Sequence, residues 1–191
     1  METLRQYIRS VAPLEEEACR RLAACFEPVV YPRGHRLFSA GRTETRMYFL
    51  EKGIARAFCD SADGEELSFW FGMEGDIVLS YNSYIHNRPG YEHVELLEDS
   101  RLWAASIEDV RKLYLSDIDI ANWARKLAEQ ELIRTEERFI SRQTGTALER
   151  YRELLRTQPR LLQRVPLGHI ASYLGVTQVT LSRIRAEVRS L

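Results

Sequence analysis

Residues 167–186 read LGHIASYLGVTQVTLSRIRA, a stretch with the spacing of a helix-turn-helix. Ala171 is the small residue expected where two short helices cross, and Gly175 stands where the turn needs a conformation that a side chain disfavours. Thr177 is placed to cap the second helix with its hydroxyl group. The apolar residues at helical intervals between the two helices are Ile170, Leu174, Val176, Leu181 and Ile184.

The second predicted helix leaves a row of positions, polar except for one valine, that are free to face outward. Side chains of these types bond base edges and phosphates, so the pattern favours a DNA-binding surface. Helical hairpins with a glycine turn also occur inside enzymes and helical bundles, and the spacing by itself leaves that alternative open. The candidate DNA-contacting residues are Thr177, Gln178, Val179, Thr180, Ser182, Arg183 and Arg185.

The charge of the chain is unevenly distributed. From Ile140 onward there are nine arginines and three carboxylates, a net charge of +6, whereas the preceding residues carry a net charge of −7. A basic end on an acidic body is expected if only that end meets phosphate. The alternative is a solvated helix surface with no nucleic-acid role.

Composition limits the class of protein. A chain of 191 residues forms one or two domains, and no apolar stretch is long enough to cross a bilayer. The first residues lack the apolar core of a secretory signal, so we expect a cytoplasmic protein with no membrane association. Cys19, Cys25 and Cys59 lack close spacing, so we expect reduced thiols and neither a disulfide framework nor a metal site.

Short β-like runs separated by glycine- and proline-containing turns fill the first half of the chain. Several short strands at such spacing favour a sandwich or barrel. The predicted strands are Val29–Tyr31, Met47–Leu50, Ile54–Phe58, Leu67–Phe71, Ile77–Leu79 and Val94–Leu97.

A helical pattern follows from Ile107, with no glycine or proline before Gly145. Its scattered apolar residues predict a dimerisation helix, although a helix packed only within its own subunit fits the same pattern. The sequence TALE at 146–149 is a capping box and begins a new helix, so residues 143–146 are the predicted hinge between domains.

This order of parts resembles the Crp/Fnr family of bacterial transcription regulators, relatives of the cyclic AMP receptor protein. The resemblance is strongest over residues 165–185, which are similar to the branch common in Bacteroidetes. It is also visible in FISRQ at 139–143, in ALERY at 147–151, and in the turns at 32–34 and 74–76.

The resemblance implies an α+β fold. It consists of an N-terminal β-roll (a double-stranded β-helix or jelly roll) with flanking helices at 1–115, a long dimerisation helix at 116–142, and a C-terminal winged helix-turn-helix at 146–191. It also implies double-stranded DNA, a second copy of the chain and RNA polymerase as partners.

By the same resemblance, three positions of the recognition helix read bases, and they fall on Gln178, Val179 and Arg183. Arg183 matches the family pattern and is suited to guanine. Val179 departs from it, because a glutamate that accepts from cytosine is usual there, and valine offers only apolar contact. Only residues 188–191 follow the helix, so we expect any β-hairpin wing to lie earlier or to be missing.

The predicted effector pocket departs further from the family. The glutamate that holds a ribose hydroxyl group falls on Ser80, and the arginine that neutralises a cyclic phosphate falls on Gly90, next to Tyr91. Losing both removes strong charge-assisted bonds, so we expect no cyclic AMP and no other cofactor. A small apolar or aromatic effector, or none, is expected instead. The candidate pocket residues are Ser80, Tyr81, Arg88 and Tyr91.

Two other functional classes stay open at this point. A β-roll is similar to the barrel of metal-dependent cupin enzymes, but the four histidines are widely separated, and the sequence contains no catalytic motif, so we expect no enzyme. The other alternative is an interaction protein that keeps the fold without binding DNA, as Val179 and the short end of the chain suggest.

Overall fold

A computed structural model describes residues 1–189, without the side chain of Arg189. The last two positions of the predicted DNA-binding domain, 190 and 191, lie outside the described residues. The helices are α1 (Glu2–Val11), α2 (Glu16–Ala24), α3 (Tyr81–His86), α4 (Ile107–Ser116), α5 (Ile118–Thr144), α6 (Ala147–Thr157), α7 (Pro159–Arg164), α8 (Leu167–Leu174) and α9 (Gln178–Arg189). The strands are β1 (Phe26–Tyr31), β2 (Arg36–Phe38), β3 (Arg46–Lys52), β4 (Ala55–Asp60), β5 (Glu66–Gly72), β6 (Ile77–Val78), β7 (His93–Leu96) and β8 (Ser100–Ser106).

The chain divides into two compact units. The N-terminal unit comprises residues 1–57 and 71–131, and the C-terminal unit comprises residues 58–70 together with the chain from 132 onward. The end of the β4–β5 hairpin thus groups with the C-terminal helices, and the division runs through α5. Among the described residues, no helix combines the length and the apolar character that a membrane crossing requires.

The β-strands form two four-stranded sheets in the described part of the chain, with the strand orders β1-β8-β3-β6 and β2-β7-β4-β5. Strand β8 lies between β1 and β3 and is antiparallel to both, so that Ala105 is opposite Phe26 on one side and Met47 on the other. The predicted α+β class with an antiparallel β-roll is confirmed.

The N-terminal helices complete the core beside the first sheet. Leu4 and Ile8 of α1 are fully buried in one cluster with Phe49 of β3 and Trp123 of α5. The indole Nε1 of Trp123 donates a hydrogen bond to the carbonyl oxygen of Ile8 at 2.7 Å. This bond anchors the first turns of α5 in the N-terminal unit.

The helical pattern that begins at Ile107 is interrupted, contrary to its continuous appearance in the sequence. Asp117 adopts an extended conformation between α4 and α5. Its Oδ1 accepts hydrogen bonds from the backbone N–H groups of Asp119, at 3.0 Å, and Ile120, at 3.2 Å, while Oδ2 pairs with Arg21. An aspartate in this position satisfies the first amide groups of α5, so a new helix starts without glycine or proline.

The capping box predicted at the start of α6 is confirmed. The hydroxyl oxygen of Thr146 accepts from the backbone N–H of Glu149 at 3.2 Å, and the carboxylate of Glu149 accepts from the backbone N–H of Thr146 at 2.7 Å. These bonds separate α5 from α6 at Gly145. From there to residue 189 the structure describes helices and no strand, so no wing lies within that range.

Candidate nucleic-acid interface and effector site

The turn of the helix-turn-helix forms as predicted. Gly175 has a φ of +67° in the left-handed region. Its N–H donates to the carbonyl oxygen of Ser172, and the N–H of Val176 donates to that of Ala171, each at 3.0 Å. This pair of bonds is a Schellman motif, which ends α8 abruptly and lets α9 start at a fixed angle.

The second helix, α9, begins at the predicted cap. The hydroxyl oxygen of Thr177 accepts a hydrogen bond from the backbone N–H of Thr180 at 3.2 Å, and the two hydroxyl groups are 2.9 Å apart. The side-chain hydroxyl of Thr177 is therefore engaged in folding the helix end, which positions the residues that follow it.

The two faces of α9 differ sharply in burial. Leu181 and Ile184 are buried against the buried residues Ile170, Ala171 and Leu174 of α8. Six of the seven candidate DNA-contacting residues are exposed, and Arg185 is half-buried. The exposed candidates are Thr177, Gln178, Val179, Thr180, Ser182 and Arg183.

Several arginines of the basic C-terminal end are engaged within the unit. Arg150 donates from Nε to the carbonyl oxygen of Leu174 at 3.0 Å and from a terminal nitrogen to that of Gly145 at 2.6 Å. Arg156 pairs with Glu153 at 2.7 Å. Arg150 is therefore turned toward the backbone of its own unit, whereas Arg156 stays exposed with its charge balanced by Glu153. Sequence reasoning missed the role of Arg150, because the bond to Leu174 joins residues 24 positions apart.

The other side of α8 contacts the tip of the β4–β5 hairpin. The hydroxyl group of Ser172 accepts from the backbone N–H of Ser68 at 2.9 Å and donates to the carbonyl oxygen of Glu66 at 2.8 Å. The neighbouring Tyr173 is half-buried, and burial raises the pKa of its hydroxyl group despite a hydrogen bond from Arg138 of α5. Ser172 thus holds α8 on the hairpin, whereas α9 packs against the other face of α8.

The second half of α5 carries an exposed apolar stripe. Leu132 and Phe139 are seven residues apart, as are Ile133 and Ile140, and each is more than half exposed. At 100° per residue the four positions fall within one third of the helix circumference. Such a stripe is typical of a coiled-coil seam, and the dimerisation helix stays a prediction.

The four candidate effector residues lie in different environments. Ser80 is buried at the start of α3, whereas Tyr81, Arg88 and Tyr91 are exposed. The hydroxyl group of Ser80 donates to that of Ser83 at 3.2 Å, and Ser83 donates in turn to the carbonyl oxygen of Arg88 at 3.0 Å. Ser80 is the only one of the four that this structure encloses.

The residue that sequence reasoning missed is Glu92, which is only 7% exposed. Its Oε2 accepts from the backbone N–H of Tyr91 at 3.0 Å, and its Oε1 is buried without a hydrogen-bond partner among the described residues. A Cβ atom placed on Gly90 would lie 2.7 Å from Oγ of Ser80 and 2.9 Å from Oε1 of Glu92. Ser80, Ser83, Gly90 and Glu92 are called the polar corner below.

The polar corner does not fit a cyclic phosphate. The position at which the family resemblance places a phosphate-binding arginine is Gly90, and the space beside its Cα atom is taken by a carboxylate and a hydroxyl group. Glu92 has no ion pair with any described residue. An anion here would meet a buried negative charge rather than a cation.

No metal-binding cluster accompanies this corner. Within residues 1–189, the structure shows no group of three or more His, Cys, Asp and Glu side chains arranged to hold a metal ion. All three cysteines are free, Cys19 buried and the other two half-buried.

Comparison with protein families identifies the central part of the chain. Residues 28–117 match the family model of the cyclic nucleotide-binding domain. The matched range begins in β1 and ends at Asp117, so it contains both sheets and the polar corner. No curated protein matches the sequence.

Solved structures match the fold over most of the chain. FixK2 from Bradyrhizobium japonicum has a TM-score of 0.77 and 19% identity, with 86% of this chain and 85% of that chain covered. A regulator assigned to the Crp/Fnr family from Eubacterium rectale has a TM-score of 0.73 and 14% identity, covering 95% and 88%. The cyclic-di-GMP-responsive global regulator CLP from Xanthomonas campestris has a TM-score of 0.72 and 16% identity, covering 92% of each chain. These structures confirm the fold that the resemblance to Crp/Fnr regulators predicts, and the similarity to the Bacteroidetes branch stays a prediction.

Proposed function

Because residues 28–117 match the cyclic nucleotide-binding domain and the fold is that of Crp/Fnr regulators, we propose that this protein is a transcription regulator that binds double-stranded DNA as a homodimer. The observation that carries the proposal is that one face of α9 is buried and the opposite face is exposed. Leu181 and Ile184 fix one face, and the opposite face presents amide, hydroxyl and guanidinium groups to solvent.

The exposed groups suit major-groove recognition. Arg183 is able to donate two hydrogen bonds to a guanine, and Gln178 is able to bond an adenine in the same bidentate way. Val179, which is 62% exposed, offers apolar contact to a thymine methyl group. The N-terminal half of a recognition helix is the part that usually meets base edges, and these residues lie there.

Dimerisation supplies the second half of the site. The apolar stripe of Leu132, Ile133, Phe139 and Ile140 is covered when two copies of α5 pair. A twofold-symmetric pair of recognition helices separated by about 34 Å reads two successive major grooves on one face of the duplex. The proposed partners are therefore double-stranded DNA and a second copy of the chain. RNA polymerase as a partner and the β-roll as the effector domain are proposed from the resemblance to Crp/Fnr regulators.

The contact between Ser172 and the β4–β5 hairpin gives a route from effector domain to DNA-binding helices. The hairpin strands belong to the β-roll sheet, and their tip bonds α8 through one hydroxyl group. A ligand that shifts the hairpin changes the contacts that hold α8 and so favours one of two orientations of α9. The shift in this equilibrium is no larger than the difference in the ligand's affinity for the two orientations. Cyclic AMP is not the proposed ligand, because the polar corner lacks a cation.

A DNA-binding titration at several salt concentrations tests the proposal. We expect selected duplexes to bind with an affinity that falls steeply with salt, since the arginines displace condensed counterions. We expect Arg183→Ala to weaken specific binding by roughly 1–3 kcal/mol and to relax selectivity at one base position. Arg20→Ala is the matched control, because Arg20 is an exposed arginine of α2 that pairs with Glu17.

The outcome separates regulation from the alternative of a pure interaction protein. Equal affinity of wild-type protein and the Arg183→Ala variant for every duplex, with no salt dependence, would show that α9 does not meet DNA. In that case the exposed face of α9 serves another partner, and the regulator proposal is withdrawn.

A further inference from the structure

Glu92 is a buried carboxylate without a counter-charge among the described residues. Its neighbour on β7, Glu95, shows the usual arrangement, since the guanidinium group of the buried Arg56 donates to it at 2.9 Å. Among the described residues, Glu92 accepts a single hydrogen bond, from the backbone N–H of Tyr91 to Oε2. Two carboxylates three residues apart therefore differ in whether the protein itself neutralises them.

An unpaired buried carboxylate is costly to keep. Removing a charge from water without a partner destabilises a folded protein by more than an ordinary hydrogen bond returns. Groups of this kind are rare in folded proteins and usually have a ligand, a water molecule or a functional reason. The unpaired carboxylate of Glu92 therefore indicates a functional reason for keeping it, such as a bound ligand.

Other polar groups lie beside Glu92, and no described residue forms an ion pair with it. The hydroxyl oxygen of Ser80 and both carboxylate oxygens converge over the Cα atom of Gly90, within 2.7–3.0 Å of the point where a side chain would begin. The N–H of Gly90 donates to the carbonyl oxygen of Arg42, which holds the backbone in place. Pro89 and Tyr91 on either side of Gly90 are exposed, so the corner lies within one residue of the surface.

We propose that Glu92 is the specificity-determining residue of the effector domain, and that the polar corner takes a small ligand through an ammonium or guanidinium group. The cationic group of the ligand donates to Oε1 of Glu92 and to the hydroxyl oxygen of Ser80. This inference deepens the proposed function, because it names the ligand class of the β-roll. It also reverses the charge preference of a phosphate-binding site.

The reversal follows from two residues of the polar corner. Gly90 leaves no arginine to neutralise a phosphate, and Glu92 fills the space beside it with negative charge. A bound cation turns an uncompensated carboxylate into a charge-assisted pair, which is among the stronger interactions available in a protein. The same carboxylate repels the phosphate of a cyclic nucleotide.

Thermal unfolding of the full-length protein without DNA tests the proposal. The probe is ethylammonium chloride, compared with potassium chloride and sodium acetate at equal ionic strength and with cyclic AMP. We expect ethylammonium alone to raise the Tm of the wild-type protein in a concentration-dependent way, because a ligand that binds only the folded state stabilises it. Glu92→Gln keeps an acceptor for Tyr91 N–H but removes the charge, so we expect it to abolish this rise.

The ligand-free variants provide a readout that a purely structural role would not give. We expect Glu92→Gln to raise the Tm of the ligand-free protein by about 2–4 °C, because an amide is cheaper to bury than an unpaired carboxylate. Glu95→Gln, three residues further along the chain, is the matched control, and we expect it to lower the Tm, because it removes a charged partner of the buried Arg56.

Three results would overturn the inference. They are a lower Tm for ligand-free Glu92→Gln, an ethylammonium response that matches potassium chloride or persists in Glu92→Gln, and stabilisation of the wild-type protein by cyclic AMP. None of these results depends on DNA, so a failure here is distinguishable from a failure of the DNA-binding titration.

Discussion

The hydroxyl group of Ser172 accepts a hydrogen bond from the backbone N–H of Ser68 at 2.9 Å, which joins α8 to the edge strand of a β-sheet. The same hydroxyl group donates to the carbonyl oxygen of Glu66 at 2.8 Å. An edge strand exposes unpaired N–H and C=O groups, and one serine satisfies one of each on β5. A single side chain therefore provides the link that a neighbouring strand would otherwise make.

Replacement of Ser172 by alanine removes both hydrogen bonds while leaving the turn at Gly175 untouched. We expect the tip of the hairpin to open more often, at a cost of roughly 1–3 kcal/mol in local stability. Hydrogen exchange measures this directly, and the amide of Ser68 should exchange about 5 to 150 times faster in Ser172→Ala. Ser182→Ala is the control, because Ser182 is an exposed serine of α9.

An unchanged exchange rate at Ser68 in Ser172→Ala would mean that the hairpin is held by other contacts. The route proposed from the effector domain to α8 would then lose its physical basis. Equal acceleration in Ser182→Ala would point to a general loosening of the C-terminal unit instead.

The local parts of the candidate interface were predictable because their causes lie within a few residues. Gly175 adopts the left-handed backbone that the turn requires. Thr177 caps α9 by accepting from the amide group three residues later, and Glu149 completes a capping box with Thr146. Each of these signals is a short-range hydrogen bond or a backbone preference, so it is written in adjacent residues. The structure confirms all three.

The long-range parts were not predictable from spacing. Strand β8 has the sequence SRLWAAS, which lacks β-branched residues, and it becomes a strand because it pairs with both β1 and β3. The break at Asp117 depends on two following amide groups and on Arg21, which is 96 residues away in sequence. Glu92 and Gly90 meet Ser80 only after α3 and the following loop have folded, so the polar corner left no pattern to detect.

We expect Val179 to influence the base preference of α9, because its side chain cannot form a hydrogen bond. Valine has no hydrogen-bonding group, so we expect selection from a random duplex pool to yield a thymine at the position it faces. Val179→Glu introduces an acceptor for the amino group of cytosine and should shift the preference at that position by roughly 1–3 kcal/mol toward a cytosine. Ala186→Val is a control for added apolar surface on the same helix, because Ala186 is exposed and is not among the candidate DNA-contacting residues.

Selection experiments with both variants check this prediction. The fold should be unaffected, since Val179 is exposed and surface substitutions usually change stability little. Unchanged base preference in Val179→Glu would place this residue outside the groove and would leave Gln178 and Arg183 as the remaining candidates for base readout.

The apolar stripe on α5 predicts the oligomeric state. Phe139 is 63% exposed in the single chain, and its burial in a symmetric dimer removes two such side chains from water. We expect Phe139→Ser to weaken the dimer by roughly 1.5–3 kcal/mol for each of the two copies. Sedimentation equilibrium over a range of concentrations measures the change.

Arg134→Ser is the matched control for the dimer prediction. Arg134 is exposed on the same helix and, at 100° per residue, projects from the side opposite the stripe. A monomeric wild-type protein at all concentrations would contradict the dimer, and equal weakening by both variants would show that the stripe is not the contact surface.

The capping box at the start of α6 predicts a pH dependence of stability. The backbone N–H of Thr146, followed by its hydroxyl group, lowers the pKa of the Glu149 carboxyl group below its usual value of about 4.3. A carboxylate whose pKa is lower in the folded state stabilises the protein above the unfolded pKa, and this contribution is lost as the pH falls through the folded pKa. Glu149→Gln should therefore flatten the loss of unfolding free energy below about pH 4.3, as measured by urea unfolding at a series of pH values. Glu137→Gln is the control, since Glu137 is an exposed residue of α5 outside any capping box. If the unfolding free energies of Glu149→Gln and wild-type protein changed with pH in parallel, the role assigned to the capping box would be wrong.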